Sequence, residues 1–142
     1  MDSLWEQTSA HTGFEALDHD VKTDVLVLGG GMAGILCAYF LQQSGVPYVL
    51  AEAKTIGSGI TKNTTAKITS QHGLVYDKLI RRFGVERAGQ YLAANEAARR
   101  RYRDLCRGLD CDFEEKDAYV YARSDRRKIE REILALERLG FP

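Results

Sequence analysis

The sequence predicts an α/β fold built on an incomplete parallel βαβ unit, followed by helices and a small β-hairpin, and three observations point there. Val25, Leu26, Val27 and Leu28 form a short β-branched and aliphatic run of the kind buried on both faces of a parallel sheet, and Gly29, Gly30 and Gly31 end it. From Ile35 to Gln43 the residues favour a helix, with Gly45 standing where a helix closes. Val46 to Ala51 then reads as a second apolar strand, with a Pro47 that suits only a strand's start or an edge.

Within this unit Gly29, Gly31 and Gly34 spell G-x-G-x-x-G between the predicted strand and helix. The first glycine permits a tight turn, the second lets backbone approach a pyrophosphate, and the third lets the helix pack close on the strand. No Ser, Thr, Asp or Asn caps this helix, so its unpaired N–H groups and positive dipole end are free for phosphate oxygens. Glu52 closes the second strand where a carboxylate accepts ribose hydroxyls and repels a 2′-phosphate. Strand, glycines, helix, strand and acid in one register describe a Rossmann-like dinucleotide site. The rival readings are a glycine-rich turn in an ordinary α/β domain and a membrane span, since the 17 residues from Val25 to Leu41 carry no charge. Three adjacent glycines, the short length and a Gln42-Gln43 flank without basic residues argue against the span.

Composition agrees with one soluble globular domain: of 142 residues 44% are apolar and 28% charged, and the formal net charge of zero gives no global field toward nucleic acid or an anionic membrane. The charges are uneven, with Asp2, Glu6, Glu15, Asp18, Asp20 and Asp24 facing only Lys22 before residue 29, and a basic stretch from Lys78 to Arg107. The start MDSLWEQTS lacks a basic n-region and an apolar h-region, which makes a cytoplasmic location the expectation. Cys37, Cys106 and Cys111 match no common zinc spacing and read as buried or incidental thiols, so no metal is expected.

Residues 1–23 read as an arm lying on the domain, anchored by Trp5 and Phe14, with His11 and His19 facing solvent. Residues 24–73 hold the βαβ unit and a loop, Lys54 to Lys67, rich in Gly, Ser, Thr and Asn and placed to wrap a cofactor; the plainer reading is a solvated surface loop. Thr61, Thr64, Thr65 and Lys67 are its most chemically capable members, and His72 reads as structural. Residues 74–142 begin an unfinished further domain. Apolar residues recur at helical spacing from Leu74 to Phe83 and from Val85 to Cys106, whose end gathers Arg99, Arg100, Arg101, Arg103 and Arg107, cations that offset a helix dipole. Cys111 to Glu114 and Ala118 to Ala122 read as two strands of a hairpin around Glu115-Lys116-Asp117. A last helix, from about Asp125 to Leu139, is capped by Ser124 and ended by Gly140. No later segment supplies a third apolar strand, so the sheet reads as unfinished.

Val25 to Glu52, the Gly57-Ser58-Gly59-Ile60-Thr61 segment and the run from Asn63 to Gly73 resemble the amino-terminal part of the FAD-dependent oxidoreductases of the D-amino-acid oxidase and glycine oxidase family. The resemblance implies a non-covalent FAD. Its pyrophosphate would meet Gly29, Gly30, Gly31, Met32, Ala33 and Gly34, and its adenosine ribose Glu52. Ala53, Ile60 and Thr61 would continue these contacts, with Thr65, Ala66 and Lys67 approaching the flavin end. It also implies oxidation of a C–H next to an amine nitrogen, with catalytic and substrate residues beyond position 142, so that none is assigned here and Lys67 is not read as a catalytic base. The expected function is thus the FAD-binding amino-terminal portion of an oxidoreductase acting on amines or amino acids, inactive as an isolated chain. The alternatives are an NAD-linked dehydrogenase-type unit, and a truncated non-catalytic chain that binds a partner through its exposed sheet edge, with a complementing chain or a homo-oligomer as the companion.

Overall fold

A computed structural model describes residues 3–8 and 13–141, and the expected solvent-facing His11 lies outside the described residues. The backbone forms two compact units, Met1–Ala66 and Lys67–Pro142.

The first unit opens with α1 (Leu4–Thr8), whose start is held by Ser3: both its carbonyl and its hydroxyl accept from the Glu6 N–H, at 3.1 and 3.2 Å. Trp5 anchors this helix through its indole N–H, which donates to the Thr64 carbonyl at 2.8 Å. Phe14, expected as a second anchor, is instead 73% exposed. His19 faces solvent beside Asp18.

Strand β1 (Val25–Leu28) pairs in parallel with β2 (Tyr48–Ala51), Val25 opposite Tyr48 and Leu28 opposite Ala51, and α2 (Met32–Gln43) makes the crossover. Helix α2 starts three residues before the expected Ile35, because Gly31 is extended (φ −78°, ψ −178°) and serves as its N-cap. It closes at Gly45 (φ +67°), where the Gly45 and Val46 N–H groups donate to the Gln42 and Leu41 carbonyls. The strand expected to be buried on both faces is covered on one. Val27 packs beside Gly34 of α2, whereas Leu26 and Leu28 are 56% and 77% exposed, because only two strands and no second helical layer occur among the described residues of this unit.

The second unit is a helical pair. The two predicted helices on either side of Gly84 are one long element, α3 (Tyr76–Cys106), broken at Gly84, whose backbone (φ +82°, ψ 167°) lies outside the range open to other residues. Helix α4 (Arg127–Arg138) packs on it through Ala135, Leu136 and Leu139 against Tyr76, Leu79 and Leu92. The expected Ser124 cap is not used. Asp125 does this work, accepting the Arg127 N–H at 3.1 Å and its guanidinium at 2.9 Å, an arrangement that holds the Asp125 carboxyl below the usual range. Gly140 (φ +71°) ends the helix as expected.

The expected hairpin is absent. Residues 111–121 form no strand and are exposed, Asp112 having a left-handed φ of +49° and Tyr119 and Tyr121 standing in water. A lone two-strand ribbon is marginal, and these segments have no apolar surface to lie on. The arginines at the end of α3 are tied by neighbours: Arg99 and Arg100 to Glu96, Arg103 to Glu115, and Arg107 to Asp104.

The start of α3 was not foreseen. Its N-cap is Val75, which has no side-chain oxygen, and a buried carboxylate from α4 serves instead: Glu132 accepts the Tyr76 N–H at 2.8 Å and the Asp77 N–H at 2.9 Å. Beneath it the Tyr76 hydroxyl donates to the Ser70 carbonyl, and burial pushes its pKa up to about 12. Two charge-assisted bonds at a buried helix start leave no cheap substitute. Replacing Glu132 by Ala is expected to destabilise this unit by about 2 to 3 kcal/mol and by Gln by about half that, read from amide hydrogen exchange of α3 and α4 under denaturant.

Candidate functional site

The site forms where both strands of the first unit end. Leaving β1, the chain turns at Gly29, whose φ of +102° excludes a side chain, and its N–H donates to the Ala51 carbonyl at 2.8 Å. Gly34 lies one helical turn on, so close beneath that a Cβ there would sit 1.9 Å from the Gly29 carbonyl oxygen. These two glycines answer demands made by the protein itself.

Gly31 answers no such demand. Its backbone angles suit any residue, and a Cβ would meet only Thr61 Oγ1, at an ordinary 3.6 Å. The space its missing side chain leaves is filled by no atom of the described residues, as expected if something outside the chain approaches here. Gly30 differs again: it is buried, and a Cβ would meet Ile56 Cγ1 at 3.0 Å and Glu52 Cβ at 3.1 Å. Ile56, unremarked in the sequence, thus forms the floor of the turn.

Glu52 faces the turn. One carboxylate oxygen accepts the Gly30 N–H at 2.7 Å and the other the Lys54 N–H at 2.9 Å. These two bonds hold the carboxyl below its ordinary value of 4.5, so it is ionised at neutral pH. Each oxygen keeps a further lone pair, and the group is oriented in advance to accept two hydroxyls.

The start of α2 is not wholly bare, and the expectation of an uncapped tip needs correcting. The Met32 N–H donates to Thr61 Oγ1 at 3.1 Å, because the loop after β2 returns over the tip and ends in a single 3-10 turn (Thr61–Asn63). Ala33 and Gly34 N–H groups find no partner among the described residues and remain for an anion. The loop is tied to the turn at a second point, the Gly57 N–H donating to the Gly30 carbonyl at 2.8 Å.

An open recess is lined by Leu28, Gly29, Ala51, Glu52 and Ala53, so Ala53 joins the acid at one end of the site. Ile60 is 89% exposed and directed at solvent. Thr65 and Ala66 are exposed at the end of the first unit, Ala66 with a left-handed φ of +54° and its N–H donating to Thr64 Oγ1. Lys67 belongs to the second unit and is exposed. The structure therefore brings together Gly29 to Gly34, Glu52, Ala53 and Thr61, while Ile60, Thr65 and Ala66 stand exposed on the loop that carries Thr61. No group of three or more His, Cys, Asp or Glu able to hold a metal occurs among the described residues, and none of their helices is long and apolar enough to cross a membrane.

The chain is similar to known proteins. The family model described as FAD dependent oxidoreductase matches residues 24–142. A Bacillus subtilis (strain 168) protein named "Putative Rieske 2Fe-2S iron-sulfur protein YhfW" is 37% identical over 148 residues, covering 99% of this chain and 28% of that protein. The gamma-glutamylputrescine oxidoreductase of Escherichia coli (strain K12) is 25% identical over 111 residues, covering 75% of this chain and 26% of that protein. The chain thus spans about a quarter of the length of these curated relatives. No solved structure matches. The chain belongs to the FAD dependent oxidoreductase family, and the cofactor of that family is FAD.

The glycines separate in a test. Gly34→Ala must push α2 away from the turn and is expected to destabilise the first unit by about 3 kcal/mol, seen as accelerated amide exchange in β1 and α2. Gly31→Ala is expected to change stability by no more than about 0.5 kcal/mol.

Proposed function

We propose that this member of the FAD dependent oxidoreductase family is the FAD-binding amino-terminal portion of an enzyme that oxidises amines or amino acids. The observation that carries the reading is Glu52, ionised and fixed beside a glycine turn whose Gly31 leaves room that the protein does not use. Gly29, Gly30, Gly31, Met32, Ala33 and Gly34 hold the pyrophosphate, Glu52 and Ala53 the adenosine ribose, and Ile60, Thr61, Thr65, Ala66 and Lys67 continue toward the flavin. Bound flavin supplies the acceptor for a hydride equivalent from carbon. The residues of this chain bind and orient; none is assigned as acid, base or nucleophile, and the chain alone binds FAD weakly and turns nothing over.

The amine or amino-acid substrate is supported by the E. coli relative, whose named compound is an amine derivative. A cytoplasmic location fits the same reading. The uncovered Leu26 and Leu28 favour a companion surface, either further polypeptide or a second copy. The Rieske name of the B. subtilis relative favours a second reading for the electron outlet, an iron–sulfur centre held elsewhere. Iron and a Rieske-type EPR signal in the longer polypeptide decide that point.

Titration with FAD and NAD side by side tests the binding reading: FAD is expected to bind, with flavin absorbance near 450 nm carried by the longer protein, and preference for NAD overturns it. Gly31→Ala and Glu52→Gln should each weaken FAD by about tenfold or more, or ~1.4 kcal/mol. The lowered Glu52 pKa sets the pH dependence. The ionised, hydroxyl-accepting form outlasts that of an ordinary glutamate as pH falls, and its loss sets in only in the acid range around and below 4.5. FAD affinity should therefore hold from neutrality to that point and decline below; a decline beginning near neutrality removes Glu52 from the role.

A further inference from the structure

We infer that α1 is a clasp on the loop around the cofactor site, with Trp5 and Glu6 acting as positioning residues for FAD; this rests on the FAD reading above. Helix α1 lies outside residues 24–142, the span matched by the family model. It grips the loop at two points. The Trp5 indole N–H donates to the Thr64 carbonyl at 2.8 Å, and the Lys62 ammonium donates to Glu6 Oε1 at 2.6 Å, both side chains of the ion pair being 30% exposed.

Between these grips the loop touches the site. Thr61 Oγ1 accepts the Met32 N–H at the start of α2, and the Gly57 N–H reaches the Gly30 carbonyl. Residues 61–64 are thus fastened to α1 on one side and to the anion-facing helix tip on the other. The segment has only one 3-10 turn of regular structure, so without α1 it must lose conformational freedom when a ligand arrives. A contact that orders it beforehand lowers that cost and appears as affinity.

The ion pair also assigns Lys62. Its ammonium is turned to Glu6, so it acts as a tie for the loop. The dependence is mutual, because a five-residue helix is not stable in water by itself, and Ser3 and this loop both hold α1.

The test compares W5F, E6K, K62E and the exchanged pair E6K/K62E by FAD titration and by amide hydrogen exchange of residues 57–64 without FAD. W5F and E6K are each expected to weaken FAD about fivefold to tenfold and to speed loop exchange by about tenfold, and the exchanged pair to return both to within about threefold of the parent. Rescue by charge exchange separates a specific tie from general damage. Unchanged loop exchange in W5F and E6K, loosening without loss of FAD affinity, or failure of the pair to rescue each overturns the clasp. A parent chain that takes no FAD while its loop responds as described overturns the FAD reading and leaves α1 a clasp of the loop alone.

Discussion

The first unit depends on one carboxylate bonded to backbone. Glu52, at the end of β2, reaches 22 residues back to the Gly30 N–H, at the end of β1, and also holds Lys54. Gly30 is buried, and without this bond its N–H has no partner among the described residues. In the proposed reading the group that orders the turn also meets the ribose, so folding and recognition would draw on the same two oxygens. Because both backbone bonds leave lone pairs free, a ligand adds to the arrangement without dismantling it.

The second unit repeats the device on a different scaffold. Glu132 reaches from α4 to the first N–H groups of α3, where Val75 supplies no cap, and thereby fixes the two helices end against side. The difference lies in access: Glu132 is buried, whereas Glu52 is half-buried beside an open recess. One carboxylate is confined to architecture and the other remains available.

What could be read from the sequence follows from range. The βαβ unit, the break at Gly84 and the ends at Gly45 and Gly140 are stated locally, by periodicity and by glycines in turns, and they stand where expected. The roles of Gly29 and Gly34 were legible for the same reason. Glu132 under Tyr76, Thr61 on Met32 and Ile56 under Gly30 were not, because each joins residues far apart in sequence and none has a distinctive spacing. The hairpin failed in the opposite way: alternation at 111–122 is present, but alternation makes a strand only when a partner strand and an apolar surface meet it. The cap on α1 was legible and overlooked, since Ser3 and Glu6 form the S-x-x-E pattern.

The bare face of β1 bears on biogenesis. As this segment leaves the ribosome, Leu26 and Leu28 face water with nothing in the described residues to lie against. An exposed apolar strand face of this kind makes a newly made chain prone to non-specific association until something covers it.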